Sequence, residues 1–153
     1  MIRRLFSSRR RSALAAFAVG GALIFASSCS NSATSPDDPL IVDATDLVVG
    51  TGIEAVAGYT VTVEYTGWLY DENAPDHKGA QFGSSDADGQ PLIFPLGYGY
   101  VIQGMDIGIV GMRVGGSRRL EIPPELGYGS QGNPPAIPPN ARLVFDVTLD
   151  NVQ

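Results

Sequence analysis

The segment FPLGYGYVIQGMDIGIVGM, residues 94–112, determines how the rest of the chain can fold. It begins as an apolar extended stretch, turns at a Gly-Tyr-Gly-Tyr sequence and continues as an almost uninterrupted apolar run. Val101, Met105 and Ile109 follow one another at i, i+4 and i+8, the spacing that places side chains on one face of a helix. We therefore expect a short helix over residues 101–111 that is buried against a flat surface such as a β-sheet.

Three glycines in this segment indicate how the helix is stabilised. Gly104, Gly108 and Gly111 would each cost about 1 kcal/mol in an isolated helix. The helix should therefore form only where a sheet supports it, and the missing side chains should let it lie very close to that sheet. Ile102 and Val110 flank the apolar face on the same side. A packed core helix explains these residues as well as a binding site does.

The first 28 residues have the composition of a targeting sequence. Five arginines lie within residues 1–12, and an apolar run of about 14 residues follows at 13–26. This run is short for a membrane span and suits a secretory signal. It leads into small residues before Cys29, a pattern that resembles the lipobox of bacterial lipoproteins. We expect residues 1–28 to be a lipoprotein-type signal peptide and Cys29 to be lipidated. The alternatives are a plain cleaved signal and a twin-arginine signal, which the arginine run also resembles.

Charge and composition change after Cys29, the only cysteine of the chain. Residues 29–40 are polar and contain prolines, as expected of a flexible tether. Five of the 10 Lys and Arg but none of the 16 Asp and Glu precede Cys29, so the remainder has five cations, sixteen acids and a net charge of −11. This charge argues against a nucleic-acid partner and against electrostatic binding to anionic lipid. We expect a cell-envelope lipoprotein, anchored to the membrane through Cys29 and facing the periplasm or the extracellular side.

Residues 41–153 have the length of one domain. Alternating apolar and polar residues, clearest at 59–70, predict strands, and polar stretches with Pro or Gly predict loops between them. Strands are expected at 46–50, 59–70, 91–96, 117–123 and 142–152, and loops at 71–81, 84–90 and 124–140. Several strands with one short helix favour an α+β fold, in which the helix packs on one face of an antiparallel sheet. The loop at 124–140 is long enough to indicate a binding loop.

Residues with familiar catalytic chemistry are scarce. His77 is the only histidine and Cys29 the only cysteine, which argues against a zinc site or a Ser-His-Asp triad. The DADG sequence at 86–89 lacks the remaining ligands of a calcium loop, and no glycine-rich phosphate loop is present. We expect neither a metal nor another cofactor. The sequence offers instead aromatic and aliphatic residues beside loops, of which Tyr128, in a Gly-Tyr-Gly loop, is poorly explained by core filling.

Seven short motifs occur in a fixed order along the domain. They are VEYTG at 63–67, QFGSS at 81–85, PLIFPLG at 91–97, VIQG at 101–104, PPELGYG at 123–129, IPPN at 137–140 and LVFDV at 143–147. In this order and with this spacing they resemble FKBP-type peptidyl-prolyl cis-trans isomerases, over roughly residues 47–152. The resemblance implies a twisted antiparallel β-sheet wrapped around one short α-helix, which agrees with the fold expected from the alternation of residues.

The resemblance also implies the residues of the site. The implied catalytic residues are Tyr65, Phe94, Ile102, Tyr128 and Phe145, and the implied substrate-binding residues are Phe82, Leu92, Val101, Met105 and Ile137. In such a site the Ile102 amide and the Tyr128 hydroxyl donate hydrogen bonds to substrate carbonyls, while aromatic residues hold the proline ring. The expected partners are proline-containing polypeptides, and the expected protein is a monomeric isomerase without a cofactor that assists the folding of exported proteins.

Three positions depart from the family pattern. Gly83 occupies the place of a usual aspartate, so we expect the hydroxyl of Tyr65 to lack a polar partner. Met105 replaces a frequent tryptophan and is a more flexible platform for a proline ring, and Asn133 replaces a frequent histidine. These departures imply reduced or altered activity and weaker binding of macrolide drugs. They leave open a second hypothesis, a non-catalytic module that holds proline-containing segments in the same groove.

Overall fold

The computed structural model of the protein describes residues 40–153. The predicted signal peptide at 1–28, the lipidation site at Cys29 and the tether up to residue 39 lie outside the described residues. Within 40–153, neither helix is long and apolar enough to cross a membrane.

Six strands form one antiparallel sheet, and two short helices connect them. The strands are β1 (Asp43–Val48), β2 (Thr60–Tyr70), β3 (Lys78–Ser84), β4 (Leu92–Pro95), β5 (Ser117–Ile122) and β6 (Leu143–Val152), and the helices are α1 (Ser85–Asp88) and α2 (Gln103–Ile109). Single 3-10 turns lie at Pro75–His77 and Pro124–Leu126. The sheet order is β1-β5-β6-β2-β3, and β4 pairs with β2. The predicted α+β class with an antiparallel sheet is confirmed.

The long strand β2 holds the sheet together. One of its edges pairs with β6 along most of its length, from Val61 to Leu69. Its other edge is shared, because β4 pairs with its first half and β3 with its second half. Val61 and Val63 are fully buried while Glu64 is exposed, and the inward residues of β6 are buried as well. The alternation read from the sequence therefore identified the core face correctly.

Helix α2 lies against β5 through its glycines, as predicted. A Cβ atom added at Gly104 would lie 2.4 Å from Ile122 Cγ2, and one at Gly108 would lie 2.6 Å from Leu120 Cδ2. A larger residue at either position would force the helix or the facing side chain to shift. Gly111 follows the helix and has a φ of +82°, so it serves the turn and not the packing. The placement of Val110 on the buried side was wrong, because its side chain is 42% exposed.

The boundaries of the polar segments differ from those predicted. Strand β3 begins at Lys78, inside the expected loop at 71–81, because its pairing with β2 continues past the apolar Phe82. Part of the second expected loop, 84–90, is helical instead. Its first residue, Ser84, caps α1 by accepting a hydrogen bond from the Ala87 amide at 3.2 Å, and Gly89 ends the helix with a φ of +73°. Strand β1 begins three residues earlier than expected, at Asp43.

The face of the sheet that points away from the core carries paired charges. Asp146 accepts hydrogen bonds from Lys78 Nζ at 2.6 Å and from Arg119 Nε at 2.8 Å. Burial opposes ionisation of Asp146, but these two cations outweigh it and hold the pKa of the carboxyl below its usual value. Glu121 accepts a hydrogen bond from Arg142 at 2.7 Å, and His77 Nδ1 also lies 2.7 Å from it. We call this surface the outer face, comprising Trp68, Tyr70, His77, Lys78, Arg119, Glu121, Arg142 and Asp146.

Candidate active site

A cleft opens on the inner side of the sheet, between the start of α2 and the long loop at 124–140. Its cavity volume is about 480 Å³, within the range of small-ligand and peptide sites. Nine of the ten predicted site residues line it: Tyr65, Phe82, Leu92, Val101, Ile102, Met105, Tyr128, Ile137 and Phe145. The structure thus brings together residues that are spread over about 80 positions of the sequence.

The tenth predicted residue, Phe94, lies deeper. It is only 3% exposed, belongs to the hydrophobic core and sits on β4 opposite Val61. It is not among the residues that line the cleft, so a direct contact between Phe94 and substrate stays a prediction. Leu92, a residue that lines the cleft, lies two positions earlier on the same strand and packs against the core cluster that includes Phe94.

Aromatic rings form the wall of the cleft around Phe145. The ring of Phe82 meets Phe145 edge to face, with centroids 5.4 Å apart, and the ring of Tyr65 lies 6.0 Å away. Gly67 makes this arrangement possible, because a Cβ atom there would lie 2.6 Å from Phe82 and 2.9 Å from Phe145. The absence of a side chain at Gly67 on β2 therefore provides space for the two phenylalanine rings. Such a wall offers an apolar surface to a ring-shaped ligand such as proline.

Two hydrogen-bond donors at the cleft have no partner among residues 40–153 and can bind a ligand there. Ile102 precedes the first residue of α2, and its carbonyl accepts the amide of Met105 at 2.9 Å. Within residues 40–153, neither the Ile102 amide nor the Tyr128 hydroxyl has a hydrogen-bond partner. The first amides of a helix lack intrahelical acceptors. The cleft therefore places an unpaired amide and an unpaired hydroxyl beside an apolar wall.

A buried carboxylate fixes the turn that carries the Ile102 donor. Asp106 is only 9% exposed, and its two oxygens accept the amides of Gly97 at 2.9 Å and Gly99 at 2.7 Å. These bonds tie the Gly-Tyr-Gly-Tyr turn to α2. This role of Asp106 could not be predicted from the sequence, because an acidic residue in an apolar helix appears as a simple interruption of the pattern. Its effect is to hold Tyr100, Val101 and Ile102 at the edge of the cleft.

The long loop contributes the opposite edge, as its length predicted. Asn133 and Ile137 exchange backbone hydrogen bonds of 2.8 and 3.0 Å, and the Gly132 amide donates to the Tyr128 carbonyl at 3.1 Å. This internal bonding turns Ile137, 2% exposed, toward the cleft. Asn133 also lines the cleft. The loop is therefore an ordered wall of the site.

The expectation that Tyr65 lacks a polar partner was wrong. Its hydroxyl donates to Asp88 Oδ2 at 3.4 Å. A side chain at Gly83 would approach the same hydroxyl, since a Cβ atom there would lie 3.9 Å from it. Burial raises the pKa of Tyr65, and the charge of Asp88 and its hydrogen bond raise it further. A carboxylate from α1 thus serves as the partner of the Tyr65 hydroxyl although position 83 has no side chain.

Sequence reasoning missed three residues that line the cleft: Asp88, Tyr100 and Ala136. A signal for Asp88 was present, because a serine at 84 that can cap a helix and a glycine at 89 that can end it enclose one helical turn. That turn bends the polar segment back toward β2. Among residues 40–153, no group of three or more His, Cys, Asp or Glu side chains is placed to hold a metal ion.

Comparisons with known proteins agree with this architecture. The family model for FKBP-type peptidyl-prolyl cis-trans isomerases matches residues 52–150. An FK506-binding protein of Neisseria meningitidis serogroup A is 51% identical over 104 residues, which cover 68% of this chain and 89% of the relative. FK506-binding protein 1B of Neurospora crassa is 45% identical over 106 residues, which cover 69% of this chain and 93% of the relative. The chain therefore belongs to the FKBP-type peptidyl-prolyl cis-trans isomerase family.

Solved structures show the same fold. The crystal structure of AtFKBP13 matches with a TM-score of 0.63 and 38% identity, over 73% of this chain and 93% of the other. The crystal structure of FkpA from Escherichia coli matches with a TM-score of 0.61 and 39% identity. That match covers 73% of this chain but only 48% of FkpA. The chain therefore spans about half the length of FkpA.

Proposed function

We propose that the protein catalyses the cis-trans isomerisation of peptide bonds that precede proline. The observation that carries this proposal is the combination of two unpaired donors, the Ile102 amide and the Tyr128 hydroxyl, with the aromatic wall around Phe145. An apolar wall accommodates the proline ring, and the two donors bind carbonyls of the substrate backbone. Membership of the isomerase family supports the same assignment.

The reaction requires no nucleophile, which is consistent with a cleft built from such residues. Rotation about a peptide bond must overcome about 18–20 kcal/mol because resonance is lost in the twisted state. A planar amide is more polar than a twisted one, so a dry apolar wall destabilises the planar ground state relative to the twisted state. This is preferential binding of the transition state. Donors that hold the neighbouring carbonyls keep the flanking chain fixed during rotation.

A non-catalytic binding module is the competing hypothesis, and it is less favoured. It was based on Gly83 and Met105. Asp88 supplies a partner for the Tyr65 hydroxyl despite Gly83, and Met105 is 4% exposed in a filled core. The Tyr65 hydroxyl and the position of Met105 are therefore compatible with a working cleft.

A protease-coupled assay on a proline-containing tetrapeptide tests the proposal. The full chain should accelerate isomerisation in proportion to its concentration, and heat-denatured protein is the control. Because relatives are named FK506-binding proteins, we also propose that FK506 inhibits the reaction by occupying the cleft. If the native protein shows no rate above the uncatalysed background, the cleft is a binding site only.

We further propose that Cys29 carries a lipid that anchors the protein to a membrane of the cell envelope, where a monomer acts on proline-containing segments of exported proteins. The support is the apolar run and the small residues that precede the only cysteine. In a bacterial host, the parent should sediment with the membrane fraction, and Cys29→Ala should move to the soluble fraction. A variant that stays with the membranes would show that another part of the chain anchors it.

A further inference from the structure

Asp88 is the only charged side chain among the residues that line the cleft in the described part of the chain. Its carboxylate is exposed, and its Oδ2 lies 3.4 Å from the Tyr65 hydroxyl. The surrounding wall is apolar or uncharged. A ligand in the cleft therefore meets one full negative charge, at the edge formed by α1.

The position of this carboxylate is fixed by the way α1 is attached. The Tyr65 amide donates to Ser85 Oγ at 3.0 Å, and the same hydroxyl donates back to the Tyr65 carbonyl at 3.3 Å. Ser84 caps the helix through the Ala87 amide. These bonds connect both ends of the tyrosine to one helical turn: its backbone binds the start of α1 and its hydroxyl binds the end. The carboxylate is therefore held at the cleft although it is exposed.

Tyrosines are frequent among the residues that line the same cleft. Tyr65, Tyr100 and Tyr128 all line the cleft, and the Tyr100 side chain is 73% exposed. Aromatic faces attract Lys and Arg through cation–π interactions, and the aliphatic stems of these residues cover apolar surface. A carboxylate in a cleft that three tyrosines line is thus suited to a cationic side chain with a long stem.

No cation of the domain competes for Asp88. All five Lys and Arg of residues 40–153 form ion pairs, with Asp46, Glu54, Asp76, Glu121 and Asp146. Nine acids of the same residues, Asp88 among them, have no Lys or Arg partner in the described part of the chain. The excess negative charge therefore attracts cationic ligands toward the domain.

We propose that Asp88 is a specificity-determining residue that makes the cleft prefer prolines directly flanked by Lys or Arg. This inference rests on the proposed binding of proline-containing segments in the same cleft. A cationic side chain next to the proline reaches the carboxylate while the ring occupies the aromatic wall. A glutamate next to the proline is repelled by the carboxylate, and a leucine there is neither attracted nor repelled.

The test compares peptides that differ only beside the proline. Lys, Leu or Glu is placed immediately before or immediately after it, and exchange NMR measures kcat/KM and Kd with the full chain. In the parent, a Lys peptide should have a higher kcat/KM and a lower Kd than its Glu counterpart. Asp88→Asn keeps an oxygen that can accept from Tyr65 but removes the charge, so the Lys-to-Glu ratio should fall about two- to fivefold, the value of an exposed ion pair. High salt should reduce the parent ratio in the same direction.

Asp86→Asn is the matched control, because it removes the same charge from the same helix at an exposed position outside the cleft. Its ratio should stay near that of the parent. An unchanged ratio in Asp88→Asn, or an equal fall in Asp86→Asn, would overturn the inference. If no peptide is turned over, the proposed isomerase activity fails, and the Kd ratios still decide the role of Asp88.

Discussion

The cleft and the outer face share the strands β2, β3 and β6, but their polar groups differ in whether they are paired. On the outer face, Lys78 and Arg119 are paired with Asp146, and Arg142 is paired with Glu121. At the cleft, the Ile102 amide and the Tyr128 hydroxyl have no partner within residues 40–153. Paired groups stabilise the fold, whereas unpaired groups keep their hydrogen-bonding capacity for a ligand. The comparison separates residues expected to set stability from residues expected to set turnover.

Phe145 contributes both to stability and to the cleft, so its loss should have the largest effect on the protein. It is 2% exposed and touches the rings of the cleft wall. Phe145→Ala should lower the free energy of unfolding by about 3–5 kcal/mol through the cavity it leaves, and it should abolish most isomerase activity. Thermal melts and peptide assays measure the two effects. Phe145→Leu retains more side-chain volume and is the control. Its melting temperature should lie between those of the parent and Phe145→Ala. A fully stable Phe145→Ala protein would show that this wall is not part of the core.

Gly104 tests the close contact between α2 and β5. In Gly104→Ala the added methyl group would meet the fully buried Ile122 side chain. Overpacking should cost about 1–3 kcal/mol, reduced by the gain in helix propensity of up to about 1 kcal/mol. The displaced helix should also lower activity, because it carries Met105 and begins directly after Ile102. Ile107→Ala, at a 48% exposed position of the same helix, is the control for denaturation experiments. If Gly104→Ala were more stable than the parent, the helix would have space that the structure does not show.

Asp146 tests the outer face alone. Asp146→Asn should cost about 1–2 kcal/mol near neutral pH, between an exposed ion pair and a hydrogen bond to a charged group, and should leave kcat/KM unchanged. Since the folded pKa of Asp146 is lowered, its stabilisation is present above the ordinary carboxyl value of 3.8 and is lost as pH falls through the folded value.

Thermal melts from neutral to acid pH measure this effect. The difference between parent and Asp146→Asn should shrink below about pH 4, the ordinary range of a carboxyl group. Asp43→Asn, on the exposed strand β1, is the control and should follow the parent. A difference that stays constant with pH would mean that the Asp146 charge does not stabilise the fold.

The sequence predicted what depends on regular spacing. Alternation in β2 and β6 identified the core face, and Gly104 and Gly108 indicated how closely α2 approaches the sheet. Contacts between distant polar residues could not be predicted in the same way. Asp88 reaches Tyr65 across 23 positions because a single capped turn redirects the chain, and Asp106 binds amides of a turn that the sequence does not place in space. The family pattern led to a wrong expectation at Gly83, because it treated one position as the only source of a carboxylate.

The central claim is that the unpaired donors at the cleft serve turnover and not stability, and Tyr128→Phe tests it most directly. The substitution removes one hydroxyl that has no partner within residues 40–153 and leaves the ring in place. The melting temperature should match that of the parent. Because one neutral hydrogen bond is worth about 0.5–1.5 kcal/mol, kcat/KM should fall by up to roughly tenfold. An unchanged rate, or a large loss of stability, would contradict the assignment of the Tyr128 hydroxyl to a substrate carbonyl.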